Sequence, residues 1–282
     1  MTSFKNKSAT EFAEKSYLSR VVVYLESEED RLIIGDRWFY DENLEFRSAG
    51  DDAQGAGGCT QVIKKVNNDK AKGITSVGLV DRDVLLKDCY WECWWEHDKS
   101  KFEACQPYGE DIKILSRWEI ENYLLLEPDI IVSVKADRFG QAQQRPAPVP
   151  LSSDEVELFT MLTAADACCH AEGKKKVSDS MARFSGTSQD LRTSLEKKGV
   201  QPSALDQETN RAVRFAGDEE EGSVEHWKQQ SRILNGKAIL KRLGLLGEKG
   251  KRRYDLASRI ADRNRIDPEI REYIAAFKSM KP

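Results

Sequence analysis

The 282-residue sequence contains no apolar run near the roughly 20 residues that a bilayer-spanning helix needs, so no membrane association is expected. It also lacks an apolar leader. The start, MTSFKNKSATEFAEK, has no hydrophobic core for secretion, and Glu11 and Glu14 argue against an organellar transit peptide, which leaves a cytoplasmic protein as the expectation. There is no G-x-x-x-x-G-K-S/T phosphate loop, and the glycines from Gly55 to Gly58 have no partner lysine. Histidine is scarce: His97, His170 and His226 stand beside no obvious serine or cysteine nucleophile, which leaves a hydrolase triad little support. A net charge of -4 gives no global pull toward nucleic acid, so any such binding needs a local basic surface. One stretch qualifies. Lys237 to Arg265 carries ten Lys or Arg against three acids, net +7, and reads either as that surface or as a solvated helical face. The six cysteines (Cys59, Cys89, Cys93, Cys105, Cys168, Cys169) in a long chain without a leader read as reduced thiols.

What is present has the texture of a globular α/β protein. Val21-Val22-Val23-Tyr24-Leu25 is a β-branched and aromatic run of the kind covered on both faces of a sheet. Ser27 follows as a helix N-cap with Asp30 three residues on, then Leu32, Ile33 and Ile34. Leu44 to Phe46, Ile74 to Val80 and Ile112 to Leu115 read as further strands, with a helix over Thr60 to Val66 and another near Glu119 to Leu126, ending before Pro128. Alternating strands and helices predict an α/β fold with a small, mostly parallel sheet over residues 1–140. A proline-rich linker follows at 141–153, and a mainly α-helical C-terminal region at 154–282. Within that region, residues 173 to 188 are polar enough to be mobile.

The acids fall at strand ends. Glu26 directly follows one buried strand and Asp81 another, and ligands of open parallel sheets collect beyond the carboxyl ends of strands. Asp83 can point to the same place if the chain stays extended for one step, and Asp30 lies one helical turn after Glu26. Clustered carboxylates repel one another, and a divalent cation relieves the conflict; all-oxygen ligands suit Mg²⁺ or Mn²⁺. Such a site holds a phosphodiester, activates a water and steadies the leaving oxygen. The plainer alternative is that these acids serve as helix caps and salt-bridge partners.

VVVYLESEED followed by ITSVGLVDRD resembles the TOPRIM fold, and the later run Arg117-Trp118-Glu119-Ile120-Glu121-Asn122-Tyr123-Leu124-Leu125 resembles the signature of OLD-like TOPRIM nucleases. The similarity covers about the first 135 residues. It implies a metal-dependent endonuclease in which Glu26 and Asp30 serve one metal, Asp81 and Asp83 another, and Glu121 completes the cluster. Glu119 is the less favoured ligand, because a helix would turn it away from Glu121; Glu121 itself has a structural alternative as a cap or a partner of Arg117. Gly236-Lys237 is similar to the family's late lysine, which would neutralise charge on the phosphoryl oxygens. Larger members carry an ATPase that this chain lacks. Its length and layout are similar to the TOPRIM effectors of two-gene PARIS anti-phage systems. That resemblance implies an ABC-type ATPase partner, release as a homodimer, and a toxic nuclease acting on host tRNA. The competing readings are a DNA-nicking OLD-like nuclease and a non-catalytic TOPRIM docking or regulatory subunit. Cys89, Cys93 and His97, at helical spacing with Cys105 beyond, admit a zinc site, but the interleaved Trp91, Trp94 and Trp95 favour a packed aromatic helix. Those tryptophans also suit a partner surface or a base-stacking platform.

Overall fold

The computed structural model describes residues 20–41, 43–50, 58–139, 149–246 and 251–281. The chain runs β1 (Val21–Leu25), α1 (Glu28–Arg31, continued by a π-helical stretch Leu32–Trp38), β2 (Leu44–Ser48), α2 (Cys59–Ala71), β3 (Ser76–Val80), α3 (Val84–Lys87), α4 (Trp91–Trp94), α5 (Lys99–Ala104) and β4 (Ile112–Ile114). Only helices follow among the described residues. They are α6 (Ile120–Leu124), α7 (Pro128–Phe139), α8 (Ser153–Ala171), α9 (Ser178–Met181), α10 (Ser188–Lys197), α11 (Pro202–Val213), α12 (Val224–Gln230), α13 (Gly236–Arg242), α14 (Lys251–Asp262) and α15 (Pro268–Ser279). The α/β class with a small parallel sheet and a helical C-terminal region is therefore as expected. Two compact units are present: Met1–Val80 with Tyr108–Lys113 and Asp267–Pro282, and Asp81–Pro107 with Ile114–Ile266. They interleave along the chain and do not divide it at residue 140. Most of the expected linker, 141–148, lies outside the described residues, as do Gly55 and Gly57 of the expected glycine turn.

In the first unit the strand order is β2-β1-β3-β4, with β1 parallel to both β2 and β3. All five residues of β1 are buried, which is why its sequence is apolar without alternation. Gly78 of β3 lets α2 approach, since a Cβ there would stand 2.5 Å from Val62 and 2.8 Å from Ile112. Tyr24 reaches across to donate to Asp69 Oδ2 at 2.9 Å. Ser27 and Asp30 form the capping box that starts α1. The last helix returns to this unit, where Lys278 pairs with Asp41 at 2.8 Å.

The second unit is built on α8, which is capped by a Ser152–Glu155 box and buried without a break from Leu158 to Cys169. A helix buried on all sides must be enclosed by its neighbours, and its few polar groups, Thr160, Thr163 and Asp166, are hydrogen-bonded within. Three sequence expectations change here. Residues 89 to 97 do not form one helix: α4 covers only Trp91–Trp94, and Cys89 has a left-handed φ of 61°. Cys93 and Cys105 are joined in a disulfide with Cα atoms 6.0 Å apart, so these two are neither free thiols nor zinc ligands. Trp94 and Trp95 are packing elements, with Trp94 edge-on to Trp118 at 5.0 Å between ring centroids and Trp95 edge-on to Phe215 at 6.4 Å. The stretch expected to be mobile carries α9 instead, and Ser178 within it is fully buried against Asp166. Among the described residues no helix is long and apolar enough to cross a membrane.

Candidate functional site

Because β1 and β3 are parallel neighbours, Leu25 and Val80 end on the same side of the sheet, and Glu26 and Asp81 are the next residues of the chain. Within the first unit, the Glu26 carbonyl accepts from Gly58 N–H at 3.3 Å. A Cβ on Gly58, whose φ is +111°, would stand 3.7 Å from Glu26 Oε2, so the glycine brings the start of α2 close to the carboxylate. A helix N-terminus favours that negative charge. Asp30, expected as a metal ligand, is buried, and its Oδ2 accepts from Ser27 N–H at 3.0 Å and Ser27 Oγ at 2.7 Å. That oxygen closes the helix cap.

In the second unit, Asp81-Arg82-Asp83 is a turn and not the extended step expected. Asp83 has φ -65° and ψ -12° and leads directly into α3. Arg82 explains the turn. Its fully buried guanidinium donates to the carbonyls of Ser116 (2.6 Å), Trp94 (2.7 Å), Glu96 (2.7 Å) and Cys93 (3.2 Å), while its N–H donates to the Trp118 carbonyl at 2.9 Å. A buried guanidinium needs such complete pairing, and meeting it holds the backbone of both aspartates. Asp83 Oδ2 lies 2.6 Å from Lys176 Nζ, and that ammonium sits 5.5 Å from the centre of the Trp118 ring. Burial pulls the Lys176 ammonium down, but the charge and hydrogen bond of Asp83 outweigh it and hold the group above the usual lysine range.

The Ile120-Glu121-Asn122-Tyr123 run forms α6, and Gly236-Lys237 opens α13. The two are clasped. Asn122 Nδ2 donates to the carbonyls of Ser231 and Leu234, both at 2.7 Å. A Cβ on Gly236 would stand 2.9 Å from Asn122 N and 3.0 Å from Glu121 Cβ, so only glycine admits this approach without a shift. Asn235 caps α13 by accepting from Ala238 N–H at 2.8 Å. Lys237 is thereby delivered to two acids: its N–H donates to Glu119 Oε1 at 2.5 Å, and its Nζ is 3.1 Å from Glu119 Oε2 and 3.7 Å from Glu121 Oε2.

Glu119 therefore does not turn away from Glu121. It is the extended N-cap of α6 (φ -155°, ψ 172°), so the helical argument against it fails at this residue. Burial pushes its carboxyl up to about 7, with the Lys237 charge opposing and Glu121 adding to the rise. Glu121 is fully buried and pairs with Arg253, not with Arg117, whose guanidinium donates to the Lys228 carbonyl at 2.8 Å. Oε2 of Glu121 accepts no hydrogen bond.

Sequence reasoning missed Lys176 and Arg253. Lys176 lies in a polar run with no local signal, and Arg253 is one of many basic residues in its stretch. Much of that basic stretch is answered within the unit: Arg242 by Glu155 at 2.9 Å, Arg263 by Asp129 at 2.8 Å, and Arg265 by Glu127 at 2.6 Å. A positive count along the chain thus overstates the positive surface it presents.

Among the described residues, no three His, Cys, Asp or Glu side chains converge as a preformed metal cage. Mg²⁺ does not require one, since it binds through one or two carboxylates together with waters and substrate phosphates. The donors present are of the right chemistry, all carboxylate oxygens, and Glu121 Oε2 is buried without a hydrogen bond, 3.7 Å from Lys237 Nζ. No protein-family model and no curated protein sequence matches the chain.

Proposed function

We propose that the chain is a divalent-metal-dependent endonuclease of the OLD-like TOPRIM type. The observation that carries the proposal is the clasp of α6 on α13, which holds Lys237 beside Glu119 and Glu121 while Glu121 Oε2 accepts no hydrogen bond. In the second unit taken by itself, Asp81, Asp83 and Glu121 would hold the cation. Glu26 and Asp30 enter the reading from the sequence pattern. A bound Mg²⁺ or Mn²⁺ would supply Lewis-acid stabilisation of the phosphoryl oxygens and lower the pKa of an attacking water. The residues supply position and charge. Lys237, with its side chain 43% exposed, offers an ammonium to an incoming phosphodiester. The Glu119 carboxylate orients that ammonium by contacting both the Lys237 backbone N–H and Nζ, and Arg253 pairs with the buried Glu121.

The biological setting rests on the family resemblance. In this reading the chain is a cytoplasmic toxic effector of anti-phage defence, held by an ABC-type ATPase partner, dimeric when released, and directed at host tRNA. A second reading is favoured by one specific observation: Asp83, Glu119 and Glu121 are each met by a cation of the chain itself, as a non-catalytic docking subunit would allow.

Incubating the purified chain with total tRNA and with plasmid, in Mg²⁺ or EDTA, separates these. The nuclease reading expects Mg²⁺-dependent cleavage, lowered by about 10²-fold or more in Glu121→Gln and Lys237→Met and abolished in Glu26→Ala and Asp81→Ala. No cleavage in any condition, including by the released or dimeric chain, sinks it. Cleavage of plasmid but not tRNA moves the DNA-nicking reading ahead.

A further inference from the structure

Lys176 pairs with Asp83 in the second unit but has no role in the nuclease chemistry proposed above. The backbone just after it is pinned from the core: Val177 N–H and Ser178 N–H donate to Asp166 Oδ1 at 2.6 and 3.0 Å, and Asp166 is fully buried on α8. Ser178 Oγ in turn accepts from Asn235 Nδ2 at 2.9 Å, and Asn235 is the cap of the helix that presents Lys237. One short segment therefore fixes both lysines, sending Lys176 to Asp83 and setting the start of the helix that sends Lys237 to Glu119 and Glu121. On the Trp118 side, the ring face lies against the Lys176 ammonium, so the cation is held by a carboxylate and an aromatic face together.

We propose that Lys176 is a resident counter-ion that competes with the divalent cation for Asp83, so that loading the metal displaces the ammonium. The inference rests on the metal-dependent reading of the same acids. An ammonium 2.6 Å from Oδ2 takes one of the directions from which a metal would coordinate that carboxylate. A dication at about 2.1 Å from a carboxylate oxygen would also stand within a few ångströms of Nζ, where the two positive charges repel strongly. The lysine stem is long and flexible, and the anchoring hydrogen bonds lie on the residues after it, so Nζ can leave without undoing the Asp166 network. The displaced ammonium is then available to a phosphate oxygen of the substrate, and metal and anion load cooperatively.

The test is Mn²⁺ binding to the intact chain, followed by the loss of the free Mn²⁺ paramagnetic resonance signal, for the wild type, Lys176→Met and Lys176→Arg. Lys176→Met is expected to bind Mn²⁺ about tenfold more tightly, in keeping with removal of one charged hydrogen bond that the metal must otherwise break, while Lys176→Arg stays within about twofold of the wild type. Equal or weaker binding by a folded Lys176→Met overturns the competition and leaves the metal reading standing. No Mn²⁺ binding by any of the three chains overturns the metal reading itself. Should Lys176→Met not fold, the wild type answers alone. The Lys176 side-chain resonance, identified by its absence in Lys176→Arg, must shift when Mg²⁺ is added, and an unmoved resonance overturns the proposal.

Discussion

Replacing Gly236 with alanine probes the clasp between α6 and α13 with a single methyl group, and two physical effects oppose each other there. Gly236 is the first residue of α13 and does not have a positive φ, so its backbone suits alanine, and helix propensity alone favours the change by up to about 1 kcal/mol. Packing argues the other way. The new Cβ would stand 2.8 Å from Asn122 Oδ1, 2.9 Å from Asn122 N and 3.0 Å from Glu121 Cβ. The backbone nitrogen belongs to α6 and cannot swing aside as the end of a flexible side chain could. Relief requires α13 to lift away or the Asn122 amide to release the Ser231 and Leu234 carbonyls, each hydrogen bond being worth about 1 kcal/mol. Overpacking of this kind costs about 1–3 kcal/mol, so the variant should be net destabilised by about 1–2 kcal/mol despite its better helix former. Urea unfolding followed by tryptophan fluorescence reads this directly, because Trp91, Trp94, Trp95, Trp118 and Trp227 all lie in the unit that holds the clasp. A midpoint equal to or above that of the wild type, with an unchanged m-value, would refute the close approach and with it the placement of Lys237.

Asn122→Ala leaves the carbonyls of Ser231 and Leu234 buried without their donor, and a loss of about 2–4 kcal/mol in unfolding free energy is expected; a loss below about 0.5 kcal/mol would show that the amide is not the clasp. Arg82→Lys keeps the charge but cannot serve four carbonyls from one flat fork, so thermal and urea midpoints should both fall, by about 2–4 kcal/mol in free energy, and unchanged midpoints contradict the account of the turn. Glu119 makes a pH prediction. Its folded carboxyl is raised from 4.5 to about 7, so the folded chain keeps a proton that the unfolded chain releases across that window. Stability from this group is therefore full below pH 4.5 and is lost as pH rises toward 7, by about 3 kcal/mol at most. The stability difference between wild type and Glu119→Gln should decline over that range, and a flat difference measured by urea titration at each pH rules the effect out.

Several elements were legible because their causes are local. The unbroken apolar run Val21 to Leu25 marked a covered strand, and Ser27 with Asp30 spelled out a cap. The Gly-Lys pair at 236–237 was singled out only by the family resemblance, which did not say what it would pack against. Other features depended on partners that no local pattern names. The turn at Asp81 to Asp83 follows from where Arg82 finds four carbonyls, and the direction of Glu119 follows from its extended N-cap backbone, which helical periodicity does not describe. The Cys93–Cys105 disulfide likewise depends on two short helices folding back on each other, against a count that suggested free thiols.

From sequence alone the chain was bound to be an α/β protein with acids at its strand ends, because periodicity, caps and turn residues act over a few positions and survive in any context. Tertiary structure alone decided which cation answers which acid. Lys176 meets Asp83 across 93 residues, Lys237 meets Glu119 across 118, and Arg253 meets Glu121 across 132. Charge has no periodicity and a lysine reaches in many directions, so only packing selected these pairs among the 44 Lys and Arg and 48 Asp and Glu of the chain, with Asp166, Asn235 and Gly236 setting the segments that carry Lys176 and Lys237.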